Sequence, residues 1–139
     1  MRGNITFTMI KPTAMRRGYA GYIITRILEG GFAIKALKML RLSKDQARAF
    51  YAVHEGKPFY DGLVEFMSSG PIIAAILEKE NAVDEYRKLI GNTNPANAEK
   101  GTIRYDFGTN IQENAVHGSD SDQNAIIEAN FFFSQFERV

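Results

Sequence analysis

Apolar and polar residues alternate over residues 4–10, with Ile5, Phe7 and Met9 on one parity and Thr6 and Thr8 on the other. A period of two predicts a strand, which Pro12 stops; Lys11 continues the apolar parity at its very end. Residues 18–29 switch to helical spacing, with Tyr19, Ile23, Ile24, Ile27 and Leu28 on one side and Gly30-Gly31 as the stop. The run A-I-K-A-L-K-M-L-R-L, 33–42, is ambiguous by period alone, and the flanking glycine pair and Ser43 favour a long strand. Ser43 with Gln46 reads as a capping box that opens a helix to about Val53. Residues 60–68 form another short helix closed by S-S-G-P, and the near-continuous apolar run 71–78 reads as a buried strand. Asn81, with Asp84 three residues on, caps a helix that ends at Gly91.

Residues 91–113 lose periodicity. A structureless connection of that length in a compact domain is usually functional or an oligomer contact. Asn114–His117 reads as a short strand, and Asp120 or Ser121 caps a last helix through about Phe132. Stripped of short extra helices, the order is βαββαβ. The expected fold is therefore α+β: the ferredoxin-like split βαβ arrangement, a four-stranded antiparallel sheet with helices on one face, in one domain over residues 1–139.

Composition narrows the function. Hydrophobic residues make up 45% and aromatics 12%, which excludes a disordered chain. The net charge of +1 supplies no global field for nucleic acid or a membrane, so neither is expected as a partner and any anion site must be local. The absence of cysteine removes disulfides, thiolate metal sites and thiol nucleophiles, and fits a cytoplasmic location. The opening M-R-G-N-I-T-F-T-M-I lacks the basic and apolar regions of a leader, and Arg26 interrupts G-Y-I-I-T-R-I-L.

No P-loop, no G-x-G-x-x-G and no H-E-x-x-H occurs, and two histidines without cysteine make a poor zinc site. The stretch N-A-V-H-G-S-D-S, 114–121, places His117 at a strand end just before a helix N-terminus, where free amides suit a phosphate and disfavour imidazolium. A neutral imidazole facing a phosphoryl group is a nucleophile, and Gly118 leaves the approach open. A satisfied, half-buried histidine occupies the same kind of position, and on position alone it is the commoner case.

The charged candidates divide similarly. Lys11 at the apolar end of its strand either pairs with an anion or snorkels to the rim. Arg87 lies near a helix C-terminus, where the macrodipole already favours a cation. Arg104 in G-T-I-R is a loop arginine, and lone loop arginines are usually solvated. Phe59 in K-P-F-Y is either a stacking platform for a base or core.

Taken together, T-M-I-K-P, R-R-G-Y-A-G, G-G-F-A-I-K, F-Y-A-V-H-E-G-K-P-F-Y, L-V-E-F-M-S-S-G-P, G-N-T-N-P-A, G-T-I-R-Y-D-F and N-A-V-H-G-S-D-S resemble the nucleoside diphosphate kinase family over essentially the whole chain. N-x-x-H-G-S-D is the most specific of these motifs. The resemblance implies that His117 takes the γ-phosphate of a nucleoside triphosphate as phosphohistidine and passes it to a nucleoside diphosphate in a ping-pong cycle. It implies that Lys11 bonds the γ-phosphate region and the ribose 3′-hydroxyl, and that Asn114 holds the ribose. Arg87, Thr93 and Arg104 hold the outer phosphates, and Phe59 stacks on the base from one side. Tyr51 places the transferred group, and Ser119 and Glu128 orient and polarise the histidine. Mg2+ is held by substrate phosphates and water, through water to Asp120. Stacking and ribose contacts imply weak base discrimination and acceptance of ribose and deoxyribose alike. The partners implied are nucleoside di- and triphosphates and further copies of the chain, in a hexamer or tetramer, with 91–113 the loop of trimeric contact.

The chain departs from the family at Thr13-Ala14, where Asp-Gly is usual, and at Tyr105, where a small residue is usual. Two other functions compete. A non-catalytic ferredoxin-like nucleotide sensor would need Phe59 and the cations but not His117. A histidine phosphotransfer module serving a protein would not need Asn114 and Phe59.

Overall fold

A computed structural model describes residues 3–139; residues 1 and 2, which open both the 1–139 span and the leader test, lie outside the described residues. The chain begins with β1 (Ile5–Ile10), followed by a short α1 (Pro12–Arg16) and α2 (Ala20–Glu29). Next come β2 (Ala33–Leu40), α3 (Lys44–Phe50), α4 (Tyr60–Met67), β3 (Ile72–Glu78) and α5 (Ala82–Ile90). The chain finishes with α6 (Ile103–Phe107), β4 (Val116–Gly118) and α7 (Asp122–Phe132). The sheet order is β2-β3-β1-β4, with every neighbouring pair antiparallel. The expected ferredoxin-like sheet is present.

The crossover helices α2 and α5 lie on one face of it. There Ile23, Ile27, Tyr86 and Ile90 pack on Ile73, Ala75 and Leu77 of β3. The opposite face is covered too, by α3, α4 and α7, where Ala47, Val64, Met67, Ala129 and Phe132 pack on Ile72, Ala74 and Ile76. Helices therefore occupy both faces, beyond the one-faced layer expected. The reason is visible in β3: both parities of its continuous apolar run need cover, and the inserted α3–α4 pair and the last helix supply it. Thr6 and Thr8, the polar parity of β1, are buried for the same reason.

Two cap expectations separate. Ser43 and Gln46 form the full capping box on α3. Asn81 stands at the N-cap of α5 but its side chain makes no capping bond; it serves instead by accepting a left-handed backbone, φ 55°. Residues 91–113 are not structureless, since α6 lies within them, capped by Thr102 and tied to α2 by the Arg26–Asp106 ion pair at 2.7 Å. Among the described residues no helix is long and apolar enough to cross a membrane.

Candidate active site

His117 sits on the end strand of the sheet, with Met9 of β1 opposite it. Its side chain is 19% exposed and packs edge-on to Phe50, ring centroids 5.7 Å apart. Nε2 lies 2.8 Å from Glu128 Oε1 on α7, and Ser119 Oγ donates to the same oxygen at 2.6 Å. A carboxylate there accepts, so Nε2 carries the proton and the Nδ1 lone pair is left available. The place of His117 before a helix N-terminus predicts the imidazole against the free amides of the last helix. Instead the ring meets α7 at Glu128, well inside the helix, while Ser121 caps the N-terminus by accepting from the Asn124 amide.

The strand is entered through a tight turn. Val116 N donates to Asn114 O at 3.0 Å across Ala115, whose φ is 76°, the geometry of a γ-turn. That turn leaves Asn114 facing inward, 2% exposed, with its Nδ2 donating to Thr93 O. Asn114 Oδ1 in turn accepts from Lys11 Nζ at 2.8 Å. Lys11 therefore does not snorkel: it is 7% exposed, and burial, then the charge of Arg104, bring its amine down to about 7.

Arg104 is not solvated either. Its guanidinium donates to Gly91 O and to Val116 O, each at 3.0 Å, and its Nε is buried without a partner. Burial lowers it to about 10, with Tyr86 acting upward and Arg87 downward. Gly91, which ends α5 at φ 87°, makes the turn that offers Arg104 this carbonyl. The Tyr51 hydroxyl is likewise buried and unpartnered, and burial, then Glu128, hold its proton on by raising its pKa.

These groups share one cleft of about 480 Å³, lined by Lys11, Tyr51, Phe59, Thr93, Asn114 and His117 among others. Phe59 stands 49% exposed at its mouth, so it is not core. Arg87, exposed on α5, opens into an adjoining cavity that shares Thr93, Arg104 and Gly118 with the first. The cleft thus brings together Lys11, Tyr51, Phe59, Thr93, Arg104, Asn114 and His117, with Arg87 in the adjoining cavity and Glu128 and Ser119 behind the ring. Asp120 stands apart on the surface. Its carboxylate accepts from Asn124 at 2.6 Å, and its charge is felt at His54. Among the described residues no three His, Asp or Glu side chains gather closely enough to hold a metal ion.

The sequence missed three features. Ile111 is 59% exposed and lines the same cleft as Phe59, an apolar wall that had a signal, being the one apolar residue in T-N-I-Q-E-N. Gly118 makes room for α5 more than for a ligand: a Cβ there would lie 2.9 Å from Ile90 Cδ1 and 3.2 Å from the Tyr86 ring. The buried pair Thr8–Tyr86, 2.6 Å apart, reaches the His117 carbonyl and had no signal at all. At the first departure, Thr13 donates to the Glu113 carboxylate and so ties α1 to the loop ahead of Asn114.

A family model described as nucleoside diphosphate kinase matches residues 4–138. The chain is 54% identical over 134 residues to a nucleoside diphosphate kinase of Lawsonia intracellularis, covering 96% of this chain and 97% of that protein. With one from Flavobacterium psychrophilum the identity is 55% over 138 residues, covering 99% of each. Among solved structures, the Aquifex aeolicus nucleoside diphosphate kinase superposes with a TM-score of 0.95 at 46% identity, covering 98% of this chain and 99% of that one. A Halobacterium salinarum nucleoside diphosphate kinase, solved in complex with CDP, gives 0.93 at 38% identity, covering 99% and 92%.

Proposed function

The chain belongs to the nucleoside diphosphate kinase family, and we propose that it performs the family's transfer, from a nucleoside triphosphate to a nucleoside diphosphate, through a phosphohistidine at His117. The observation that carries this is the pairing of Nε2 with Glu128 on a ring that borders a cleft of cations and unpaired donors. The pairing turns Nδ1 into the nucleophile. In the first half-reaction a bond forms from Nδ1 to the γ-phosphorus while the bond to the bridging oxygen breaks, and the diphosphate leaves with that electron pair. In the second, a terminal oxygen of the acceptor diphosphate attacks the same phosphorus and returns the pair to Nδ1. The ring grows more positive as it is phosphorylated, and Glu128 then binds the Nε2 proton more strongly, which places stabilisation where charge develops.

Phosphoryl transfer asks for positioning and charge more than acid–base chemistry. Lys11, Arg104 and Arg87 supply the charge. The unpartnered Tyr51 hydroxyl and Arg104 Nε supply donors that no protein atom has claimed. Asn114 and Lys11 hold the ribose, Thr93 a phosphate, and Phe59 the base. With Ile111 in the same cleft the base lies between two apolar surfaces, a fit that reads no base edge. A bound nucleotide brings Mg2+ with it, and the ion neutralises phosphate charge. A lone exposed carboxylate at Asp120 and a Glu128 already bonded twice fit an ion held by phosphates and water, and not by a protein cage.

The homo-oligomer and the cytoplasmic location belong to the same proposal. Supporting the first, β2 is an end strand of the sheet, joined by the C-terminal Val139 through its amide to Lys35 O, and carries exposed Leu37 and Met39. Supporting the second is a sequence without cysteine. A pure nucleotide sensor does not need a histidine oriented by Glu128, and a protein-directed phosphotransfer module does not need a ribose pocket. The test is incubation with γ-labelled ATP. Label stable in alkali, lost in acid, absent in His117→Ala and discharged by GDP is expected, with nucleotide affinity of that variant retained. Label that GDP does not discharge would overturn the kinase cycle.

A further inference from the structure

Tyr86 has no part in the chemistry above, yet its hydroxyl is engaged. The side chain is fully buried on α5, one residue before Arg87. Its Oη lies 2.6 Å from Thr8 Oγ1, and Thr8 Oγ1 donates to the backbone carbonyl of His117 at 2.7 Å. A threonine hydroxyl has one proton. Since Thr8 gives it to the carbonyl, Tyr86 is the donor to Thr8, and the order of donation is Tyr86 to Thr8 to His117. Bonds aligned in this sense polarise one another.

The carbonyl at the end of this relay belongs to a weakly held piece of backbone. β4 has three residues, pairs among the described residues with β1 alone at the sheet's end, and follows the positive-φ turn at Ala115. Side chains supplement the ladder. Arg104 takes the carbonyl of Val116, and the relay takes that of His117. Packing by itself does not call for the hydroxyl. The Tyr86 ring meets Phe32 edge-on at 5.4 Å and lies beside Gly118, contacts a phenylalanine would keep. A phenol placed where water cannot reach costs stability unless bonded.

We propose that Tyr86, acting through Thr8, is a positioning residue for phosphoryl transfer. The relay fixes the peptide plane of His117, and with it the place of the free ring nitrogen relative to the incoming phosphorus. Because Arg87 is the next residue of the same helical turn, α5 sets nucleophile and phosphate-binding cation in one frame. The inference rests on the phosphohistidine reading.

The test compares Tyr86→Phe, Thr8→Val, the double variant and Thr8→Ser in the intact chain. Single-turnover labelling from γ-labelled ATP, calorimetric binding of ADP and denaturant unfolding are measured on each. Tyr86→Phe and Thr8→Val are expected to label about tenfold more slowly, since small displacements of reacting atoms are costly. ADP affinity should stay within about twofold, because the relay touches the nucleophile and no nucleotide group. The double variant should be no slower than the slower single one, as one relay is broken only once. Thr8→Ser, which keeps the hydroxyl, should recover most of the rate. A Tyr86→Phe that loses stability but labels within about twofold of the parent would assign the residue to packing and overturn the proposal. So would rate losses that add in the double variant, or that match losses in ADP affinity. A parent that takes no label at His117 removes the phosphohistidine reading first, and the positioning role with it.

Discussion

A lysine closed off from water holds its proton weakly, and Lys11, brought to about 7 by burial and then by Arg104, makes the consequence measurable. In the unfolded chain it stays protonated to about pH 10. Between pH 7 and that limit the unfolded state therefore binds the extra proton, and this residue's contribution to stability rises with pH. Below pH 7 both states are protonated and the cost of burying the cation is felt in full. Urea unfolding is expected to show this rise between pH about 7 and about 9.5 in the parent and a flatter profile in Lys11→Met. In the proposed cycle, nucleotide phosphates beside the amine would restore its proton. Calorimetry of ADP binding at pH about 8, repeated in buffers of different ionisation heat, should therefore report proton uptake that Lys11→Met abolishes. The candidate residues of the site were legible through the family resemblance, and phosphate chemistry, which asks for cations, hydroxyls and one nucleophile, fits that set. The state of each was not. Arg104 looked like a loop cation that reaches solvent and Lys11 like one that either pairs with an anion or snorkels, and only the carbonyls and amides around them, drawn from residues 91, 114 and 116, make their burial tolerable.

At the scale of elements, what is local was legible and what is lent by neighbours was not. The capping box at Ser43 needs only Gln46 three residues on, and both bonds are present. Ser43→Ala is expected to cost about 1 kcal/mol in denaturant unfolding. The labelling rate should stay unchanged, since the cap lies at the end of α3 opposite Phe50, which touches the His117 ring, and Tyr51, which lines the cleft. Asn81 had the right sequence for a cap and the wrong backbone, because the chain must turn through a left-handed residue to lay α5 on the sheet. The helix Ile103–Phe107 is too short to show a period. It is held by contacts distant in sequence: Asp106 to Arg26, and Phe107 against Tyr19, ring centroids 5.1 Å apart.

For the whole molecule, helices lie on both faces of the sheet, and at its β2 end the C-terminal segment adds Val139 N to Lys35 O at 2.8 Å and Glu137 to Lys38 at 3.0 Å. Leu37 and Met39, on one parity of that strand, are 45% and 64% exposed. In the proposed homo-oligomer a second copy of the chain would cover these exposed apolar side chains. Sedimentation equilibrium is expected to give a multiple of the 15.6 kDa chain mass. Leu37→Lys combined with Met39→Lys should lower that multiple while the monomer unit stays folded. A parent that sediments as a single chain would remove the oligomer from the proposal.

The sequence by itself determined the order of the strands and of the longer helices, the buried nature of β3 and, through the family resemblance of N-A-V-H-G-S-D-S and its companion motifs, the candidate nucleophile. These are local or compositional properties: a period, a cap, a set of reactive groups. Only the tertiary structure decided which ring nitrogen is free, which cations are dry, and that Tyr86 reaches the carbonyl of His117 across 31 positions of chain through Thr8. Hydrogen-bond direction and burial depend on which segments meet. That is settled by packing two apolar layers on one sheet, and no periodicity along the chain records it.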